Sequence, residues 1–288
     1  MREQQTKLAQ SFLCGLIGSG ISRSSSSIIH ETEAAALGLH LVYRIIDFAG
    51  LGLTQEDLPG MVGGARSLGF NGLNVTHPYK QAIMPLLDDI SPEARAIGAV
   101  NTVVFRNGRS AGYNTDGTGF LASLRRALPD ARMRQVVQIG AGGAGSATAY
   151  AMLDGGCGRI LLYDIDHSRS ERLAGRLAAH FGGDRAGVCR SLAAGMESAD
   201  GLIQASPVGM AGHPGSAVAA DLLRPSMWVA DIVYFPLETE LLKAARAVGC
   251  RTVSGEGMVV LQAAAAFHLF TGIEPDASRM LRNFAAVE

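Results

Sequence analysis

Along the chain, short apolar runs rich in β-branched residues alternate with stretches whose apolar positions recur every three or four residues. Runs of the first kind fit strands buried on both faces; the others fit helices with one buried side. "SFLCGLIG" predicts a strand and "IIHETEAAALG" a helix. "LVYRIIDF" predicts the next strand, followed by a helix starting near Thr54, whose hydroxyl can cap it and whose Asp57 lies in the first turn. "GFNGLNVT" predicts a strand; "YKQAIMPLLDDI" and "PEARAIGA" predict helices, the first kinked or broken at Pro85. "AVNTVVF" and "SAGYNT" flank the turn "RNGR", and a helix follows from Gly119. A second series opens near residue 135, with "QVVQIG", "RILLYD", "GLIQAS", "WVADIVY" and "RTVS" as strands and helical stretches such as "TELLKAARAVG" between them. From "GMVVLQAAAAFHLFTG" onward the pattern is helical, with no further strand. Strand–helix alternation of this kind predicts an α/β fold with parallel sheets covered on both faces. A chain that enters a second sheet and ends in helices can return to pack on its first domain.

Composition narrows the class. At 288 residues the chain is long enough for one large or two ordinary domains. The net charge of −1 gives no broad electrostatic footprint for nucleic acid or an anionic membrane. "MREQQTKLAQ" has no apolar signal region behind it, and "MVVLQAAAAFHLF" is shorter than the ~20 residues that span a bilayer. The expectation is a soluble protein of the cytoplasm. Cys14, Cys157, Cys189 and Cys250 are far apart, which predicts buried free thiols. "HETE" lacks the second histidine of a zinc-protease helix, and no metal is expected. The 36 glycines suit many tight strand-to-helix turns.

One such turn carries chemistry. "VVQIGAGGAGSATAYAML" holds G-x-G-x-x-G at Gly140, Gly142 and Gly145, after a strand and at the head of a helix. That is the setting a dinucleotide-binding turn requires: Gly140 for the tight turn, Gly142 for backbone approach to the pyrophosphate, Gly145 for close helix–sheet packing. Ala141, Gly143 and Ala144 complete the cradle. Asp164, at the end of "RILLYD", stands where a carboxylate meets the ribose hydroxyls, with Asp166 as a stand-in. A 2′-phosphate there would face like charge, costing about 4 kcal/mol per pair at ~4 Å and an effective dielectric near 20. Arg169 can offset this by about 1 kcal/mol at most as an exposed contact, so NAD is expected over NADP.

A nicotinamide cofactor implies hydride transfer, and an alcohol substrate then needs a group to handle its proton. Lys80, after "NVTHPY", and Asp116, ending "YNTD", follow first-domain strands at the ends where ligands collect in open parallel sheets. Taken alone, each reads as readily as a solvated lysine and a helix-capping aspartate. "SRSSSSIIH" is likewise either a flexible loop or a pocket of hydroxyls and backbone N–H groups that holds an anion.

"GFNGLNVTHPYKQAI", "IGAVNTVV", "GYNTDGTGF", "IGAGGAG" and "GMVVLQAAAAFHLFTG", in this order over nearly the whole chain, resemble the shikimate dehydrogenase family and its quinate/shikimate branch. The resemblance implies a substrate domain of residues 1–116 plus 258–288, with a mostly parallel sheet and returning C-terminal helices, and a Rossmann-type dinucleotide domain over 117–257. It makes Lys80 the catalytic lysine and Asp116 its partner. Ser24 and Ser26 would hold the substrate carboxylate, and Thr76, Asn101, Tyr234 and Gln262 would be further substrate contacts. Val233, Gly255 and Met258 would touch the cofactor. The implied reaction oxidises the ring hydroxyl of shikimate, or quinate, to the 3-dehydro ketone, in a monomer or homodimer. "YDIDHSR" lacks the Asn-Arg-Thr of NADP-using relatives; Ser27 and Gln204 replace a common proline and asparagine. A dehydrogenase for aminoshikimate or quinate alone, and a dinucleotide-sensing protein without turnover, are the alternatives.

Overall fold

Apolar periodicity and turn residues divide the chain into twelve strands and eleven helices among residues 10–286, the part described by the computed structural model; the N-terminal stretch before Gln10 lies outside it. In chain order these are β1 (Ser11–Gly18), α1 (Ser26–Ala36), β2 (His40–Asp47), α2 (Phe48–Leu51), α3 (Leu58–Ser67) and β3 (Gly72–Val75). Then follow β4 (Asp89–Ile90), α4 (Pro92–Ile97), β5 (Thr102–Arg106), β6 (Arg109–Tyr113), α5 (Asp116–Ala127), β7 (Gln135–Ile139), α6 (Gly143–Asp154) and β8 (Arg159–Tyr163). The remainder is α7 (His167–Phe181), β9 (Ala186–Val188), α8 (Leu192–Glu197), β10 (Gly201–Gln204), β11 (Trp228–Asp231), α9 (Glu240–Val248), β12 (Arg251–Val253), α10 (Glu256–Thr271) and α11 (Ala277–Ala285).

Two units result. The first takes the described residues through Ser91, Val100–Tyr113 and those from Ala263 onward; the second takes Pro92–Ala99 and Asn114–Gln262. The division therefore groups α4 and the start of α5 with the second unit, and it falls inside α10, so the seams differ from the sequence boundaries by short segments.

In the first unit the sheet order is β2-β1-β3-β5-β6-β4. β1 pairs in parallel with β2 and β3, and β4 with β6, whereas β3–β5 and β5–β6 are antiparallel. The antiparallel hairpin follows from its two-residue turn, Asn107 and Gly108, both at positive φ (51° and 73°), the conformation that joins adjacent twisted strands. Cys14, Leu16, Tyr43, Val104, Phe267 and Phe270 form the core between this sheet and α10.

"YKQAIMPLLDDI" is not a helix. It runs as turns, one 3-10 turn at Met84–Leu86, and then β4. Pro85 has no N–H to give the Gln81 carbonyl. Asp88 is also tied to β6, accepting from the Ser110 N–H at 2.8 Å while its own N–H donates to Ser110 Oγ at 3.0 Å. Tertiary pairing overrides the helical spacing here. The helix near Thr54 forms as expected, with a capping box between Thr54 and Asp57 opening a 3-10 turn that leads into α3. β9 has no alternating pattern and was not expected.

The second sheet is parallel throughout, in the order β12-β11-β10-β7-β8-β9. Counted from β7 this is the doubly wound 3-2-1-4-5-6 order of the Rossmann-type fold, and its direction of winding reverses between β7 and β10. A core of Val136, Met152, Leu153, Ile160, Leu173 and Trp228 packs one face, and Val137, Leu202, Val229 and Leu242 the other. All four cysteines are buried and unpaired, and among the described residues no helix is long and apolar enough to cross a membrane.

Candidate active site

The serine corner lies between β1 and α1. Asp47, at the end of β2, accepts the N–H groups of Gly20 (2.7 Å), Ile21 (3.0 Å) and Ser22 (2.9 Å), which fixes the loop leading into it. Partial desolvation opposes its charge, but these backbone bonds and that of Gly50 prevail and hold its carboxyl below the ordinary value. Ser24 Oγ donates to Ser26 Oγ at 3.0 Å. Ser25 occupies the N-cap of α1 without a side-chain hydrogen bond, and the Ser26 N–H donates to Ser24 Oγ at 3.3 Å. Two adjacent hydroxyls at the positive end of a helix form a candidate anion seat.

Behind the seat runs a chain of buried polar groups. Tyr43 (β2, 4% exposed) donates its hydroxyl proton to Asn74 Oδ1 at 2.6 Å. Asn74 Nδ2 donates to Thr102 Oγ1 (3.1 Å) and to the Asn101 carbonyl (3.4 Å), and Thr102 Oγ1 donates to Asn101 Oδ1 at 2.9 Å. Burial, with Cys14 adding to it, pushes the Tyr43 hydroxyl well above its ordinary pKa, and the nearby Ser26 hydroxyl opposes the shift. His30 stacks on the Tyr43 ring at 4.5 Å; burial lowers its pKa to about 3, so it is neutral, and its Nδ1 has no partner. Of the expected substrate contacts, the structure thus joins Ser24 to Ser26, and Asn101 to the buried chain of Tyr43, Asn74 and Thr102. Tyr43, Asn74 and Thr102 were missed, although a polar residue inside each apolar strand was the signal.

Thr76 and Lys80 follow β3. The Tyr79 N–H donates to the Thr76 carbonyl at 2.9 Å, and Tyr79 is buried against Phe48 with ring centroids 4.8 Å apart. This tight turn leaves Lys80 half-buried, its carbonyl accepting the Val100 N–H at 2.8 Å.

Asp116 and Gln262 belong to the second unit, Lys80 to the first. Asp116 is the first residue of α5, 6% exposed, its N–H held at 3.1 Å by Asn114 Oδ1. Thr115 Oγ1 donates to Gln262 Oε1 at 3.4 Å. α5 meets α10 closely at Gly119, where a Cβ would lie 2.5 Å from the Gln262 nitrogen, so Asp116 and Gln262 start from fixed backbone.

The glycine turn has the geometry its spacing predicts. Gly140 has φ +98°, and a Cβ there would lie 2.5 Å from the Ala205 carbonyl oxygen; one on Gly145 would lie 2.2 Å from that of Gly140. A Cβ on Gly142 would meet nothing within 4 Å, which leaves backbone open for a ligand. Gly142 caps α6 without a side chain, so the amides of Gly143 and Ala144 head a helix prepared for an anion. Gln138, fully buried, donates to the carbonyls of Gly140 (2.9 Å) and Gly145 (2.7 Å) and accepts from Thr148 (2.8 Å). The lone polar residue of "VVQIG" braces the turn. These residues fit a dinucleotide pyrophosphate.

Asp164 has a second task. Its Oδ2 accepts the Ala141 N–H at 2.8 Å and its Oδ1 the Asp166 N–H at 2.9 Å, so it clamps the glycine turn. Asp166 caps α7 through Ser168 and pairs with Arg169 at 3.3 Å. Hydrogen bonds from the Ser168 side chain and N–H, with Arg169 and Arg172 nearby, outweigh desolvation and hold the Asp166 carboxyl low. Val233 is buried, its N–H donated to Asp231 Oδ1 at 3.0 Å; Tyr234 beside it is 48% exposed. Gly255 packs with its Cβ position 2.4 Å from the Ile232 carbonyl oxygen, and Met258 lies in the second unit's core. Gln204 organises the following loop, donating to the Val208 carbonyl at 2.7 Å and accepting from Ser206 Oγ at 3.0 Å.

Comparison with known proteins sets this geometry in context. Residues 16–103 match a family model described as the shikimate dehydrogenase substrate binding domain, and 255–282 one described as the shikimate 5'-dehydrogenase C-terminal domain. A shikimate dehydrogenase (NADP(+)) of Streptomyces avermitilis is 53% identical over 277 residues, covering 96% of this chain and 95% of its own. A quinate/shikimate dehydrogenase (NAD(+)) of Corynebacterium efficiens is 48% identical over 285 residues, covering 96% and 99%. Among solved structures, quinate dehydrogenase from Corynebacterium glutamicum in complex with NAD superposes with a TM-score of 0.91 at 46% identity, covering 96% of this chain and 99% of that one.

Proposed function

The chain belongs to the shikimate dehydrogenase family, and from that premise we propose that it oxidises the ring hydroxyl of shikimate, and of quinate, to the 3-dehydro ketone with NAD. One observation carries the substrate class: Ser24 and Ser26 stand 3.0 Å apart, hydroxyl to hydroxyl, at a helix N-terminus whose N-cap residue, Ser25, makes no side-chain hydrogen bond. A ring carboxylate takes both serine protons there, while Thr76, Asn101, Tyr234 and Gln262 receive the remaining polar groups.

Lys80 and Asp116 handle the proton of the reacting hydroxyl. An ammonium donates readily when the ketone is reduced; in the oxidative direction one member of the pair must first be free to accept. Bound at the glycine turn through Gly140, Ala141, Gly142, Gly143, Ala144 and Gly145, with Val233, Gly255 and Met258 beside it, the nicotinamide cofactor supplies the hydride acceptor.

NAD is favoured over NADP because two carboxylates, Asp164 and Asp166, close the end of β8, and Arg169 is already paired with Asp166. An arginine engaged in this way offers less to a 2′-phosphate. The NADP-named Streptomyces relative makes this point the one to measure.

The test is steady-state kinetics with shikimate and quinate, each with NAD and NADP. Turnover of shikimate, with kcat/KM at least about tenfold higher for NAD, is expected. A preference for NADP would overturn the cofactor assignment, and no turnover of either acid would overturn the whole reading.

A further inference from the structure

Inside β7, Val136, Val137 and Ile139 are buried and apolar, and Gln138 stands among them fully buried. A leucine there would leave no polar group to satisfy, so strand packing does not account for an amide. The amide fits in one sense only. The carbonyls of Gly140 and Gly145 can only accept, so Nε2 lies between them, at 2.9 and 2.7 Å, and both its protons are used. Oε1 then faces Thr148 of α6, also fully buried, whose hydroxyl donates to it at 2.8 Å.

The two carbonyls have different places in the glycine turn. Gly145 is in the first turn of α6, so its bond ties the head of that helix to β7. Gly140, at φ +98°, closes the strand, and its carbonyl shares a peptide unit with the Ala141 N–H. Asp164 Oδ2 accepts that N–H at 2.8 Å. The unit is therefore held at both edges, by Gln138 from β7 and by Asp164 from the end of β8, and its dipole has one orientation. With either edge released, a peptide next to a glycine can rotate and offer a carbonyl oxygen in place of an amide.

We infer that Gln138 is a positioning residue for the pyrophosphate of the dinucleotide: it holds the Gly140 carbonyl inward and the head of α6 against β7, so that the turn presents only N–H groups to the anion. This rests on the cofactor reading proposed above. Gln138 acts through the backbone, from inside the sheet. Preorganised donors bind an anion more tightly than donors that must first be ordered. The phosphates therefore lose affinity when Gln138 is replaced, and the adenosine end, which meets the carboxylates after β8, does not.

Gln138→Leu keeps the side-chain volume and removes all three bonds. In calorimetric titrations the Kd for ADP should rise about tenfold and that for adenosine stay within about twofold. In steady state the KM for NAD should rise by a similar factor, with the KM for shikimate within about twofold. Thr148→Val removes the anchor of Oε1 and should weaken ADP about threefold, again sparing adenosine. The double variant should bind ADP no more weakly than Gln138→Leu. Should Gln138→Leu fail to fold, Thr148→Val alone decides between ADP and adenosine. Equal weakening of both ligands, unchanged affinity for ADP, or full additivity of the two substitutions would overturn the inference and leave the cofactor reading standing. Wild-type protein that binds neither NAD nor ADP would remove both.

Discussion

Asp164 and Asp166, two residues apart, are both candidates for the ribose hydroxyls and differ in what each holds within the protein. Asp164 is the clamp of the glycine turn, and Asp166 is the cap and salt-bridge partner at the head of α7. Sequence spacing cannot separate them, because both roles use a carboxylate accepting a nearby N–H. Lys80 stands differently: the sequence pattern places it at the head of a helix, the structure holds it in a turn, and its chemistry is a proposal that a single substitution tests. Lys80→Met should lower kcat by roughly 10²–10⁴ with substrate KM within a few-fold, the usual effect of losing a general acid–base group. Near-normal turnover of that variant would remove Lys80 from the mechanism.

At the scale of elements, α11 is held to α1 by a pair no sequence pattern announces. Glu33 is fully buried, and Arg279 meets it with two parallel bonds, Nε–Oε2 at 2.9 Å and Nη2–Oε1 at 2.6 Å; the Asp276 N–H adds a third at 2.7 Å. Removing the cation leaves a carboxylate buried with too few donors. Arg279→Met should therefore lower the unfolding free energy by about 3–5 kcal/mol in urea titrations. A loss below about 1 kcal/mol would mean that the pair behaves as an exposed one. α1 also carries Ser26 at its start, so its anchoring is a condition for the seat to exist at all.

Across the whole molecule, two buried groups make stability depend on pH with opposite sign. His30, in the first unit, is lowered to about 3 by burial. Between that value and its ordinary 6.5 the unfolded chain binds a proton the folded one refuses, so its contribution is full above pH 6.5 and is lost on acidification. Asp231, in the second unit, is raised from 3.8 to about 6 by burial, against the hydrogen bonds from Thr239 and Val233. Here the folded state holds the extra proton: stability is full below 3.8 and is lost as pH rises through about 6. That loss amounts to about 3 kcal/mol by pH 8. In Asp231→Asn the amide needs no ionisation, so the variant should gain on the wild type between about pH 4 and pH 8, as urea unfolding at the two ends will read. A difference that does not change with pH would remove Asp231 as the source.

The sequence alone determined what short-range forces decide. Strand and helix periods, the positive-φ turn at Asn107–Gly108, the Thr54 cap and the glycine turn at Gly140 each depend on residues within a few positions of one another. Ser24 and Ser26 also meet over two residues, but the residues alone leave a flexible loop and an anion pocket equally open, and only the family resemblance gives the pair a role. Tertiary structure decided whatever needed distant partners: residues 79–90 gave up a helical pattern to pair with β6, Asp164 reached back to Ala141, and Arg279 found Glu33. Tyr43, Asn74 and Thr102 are unremarkable in their own strands and become a relay only because β2, β1, β3 and β5 lie in that order in one sheet. Local propensity is set by neighbours along the chain, whereas a buried donor is satisfied by whichever acceptor the fold brings to it.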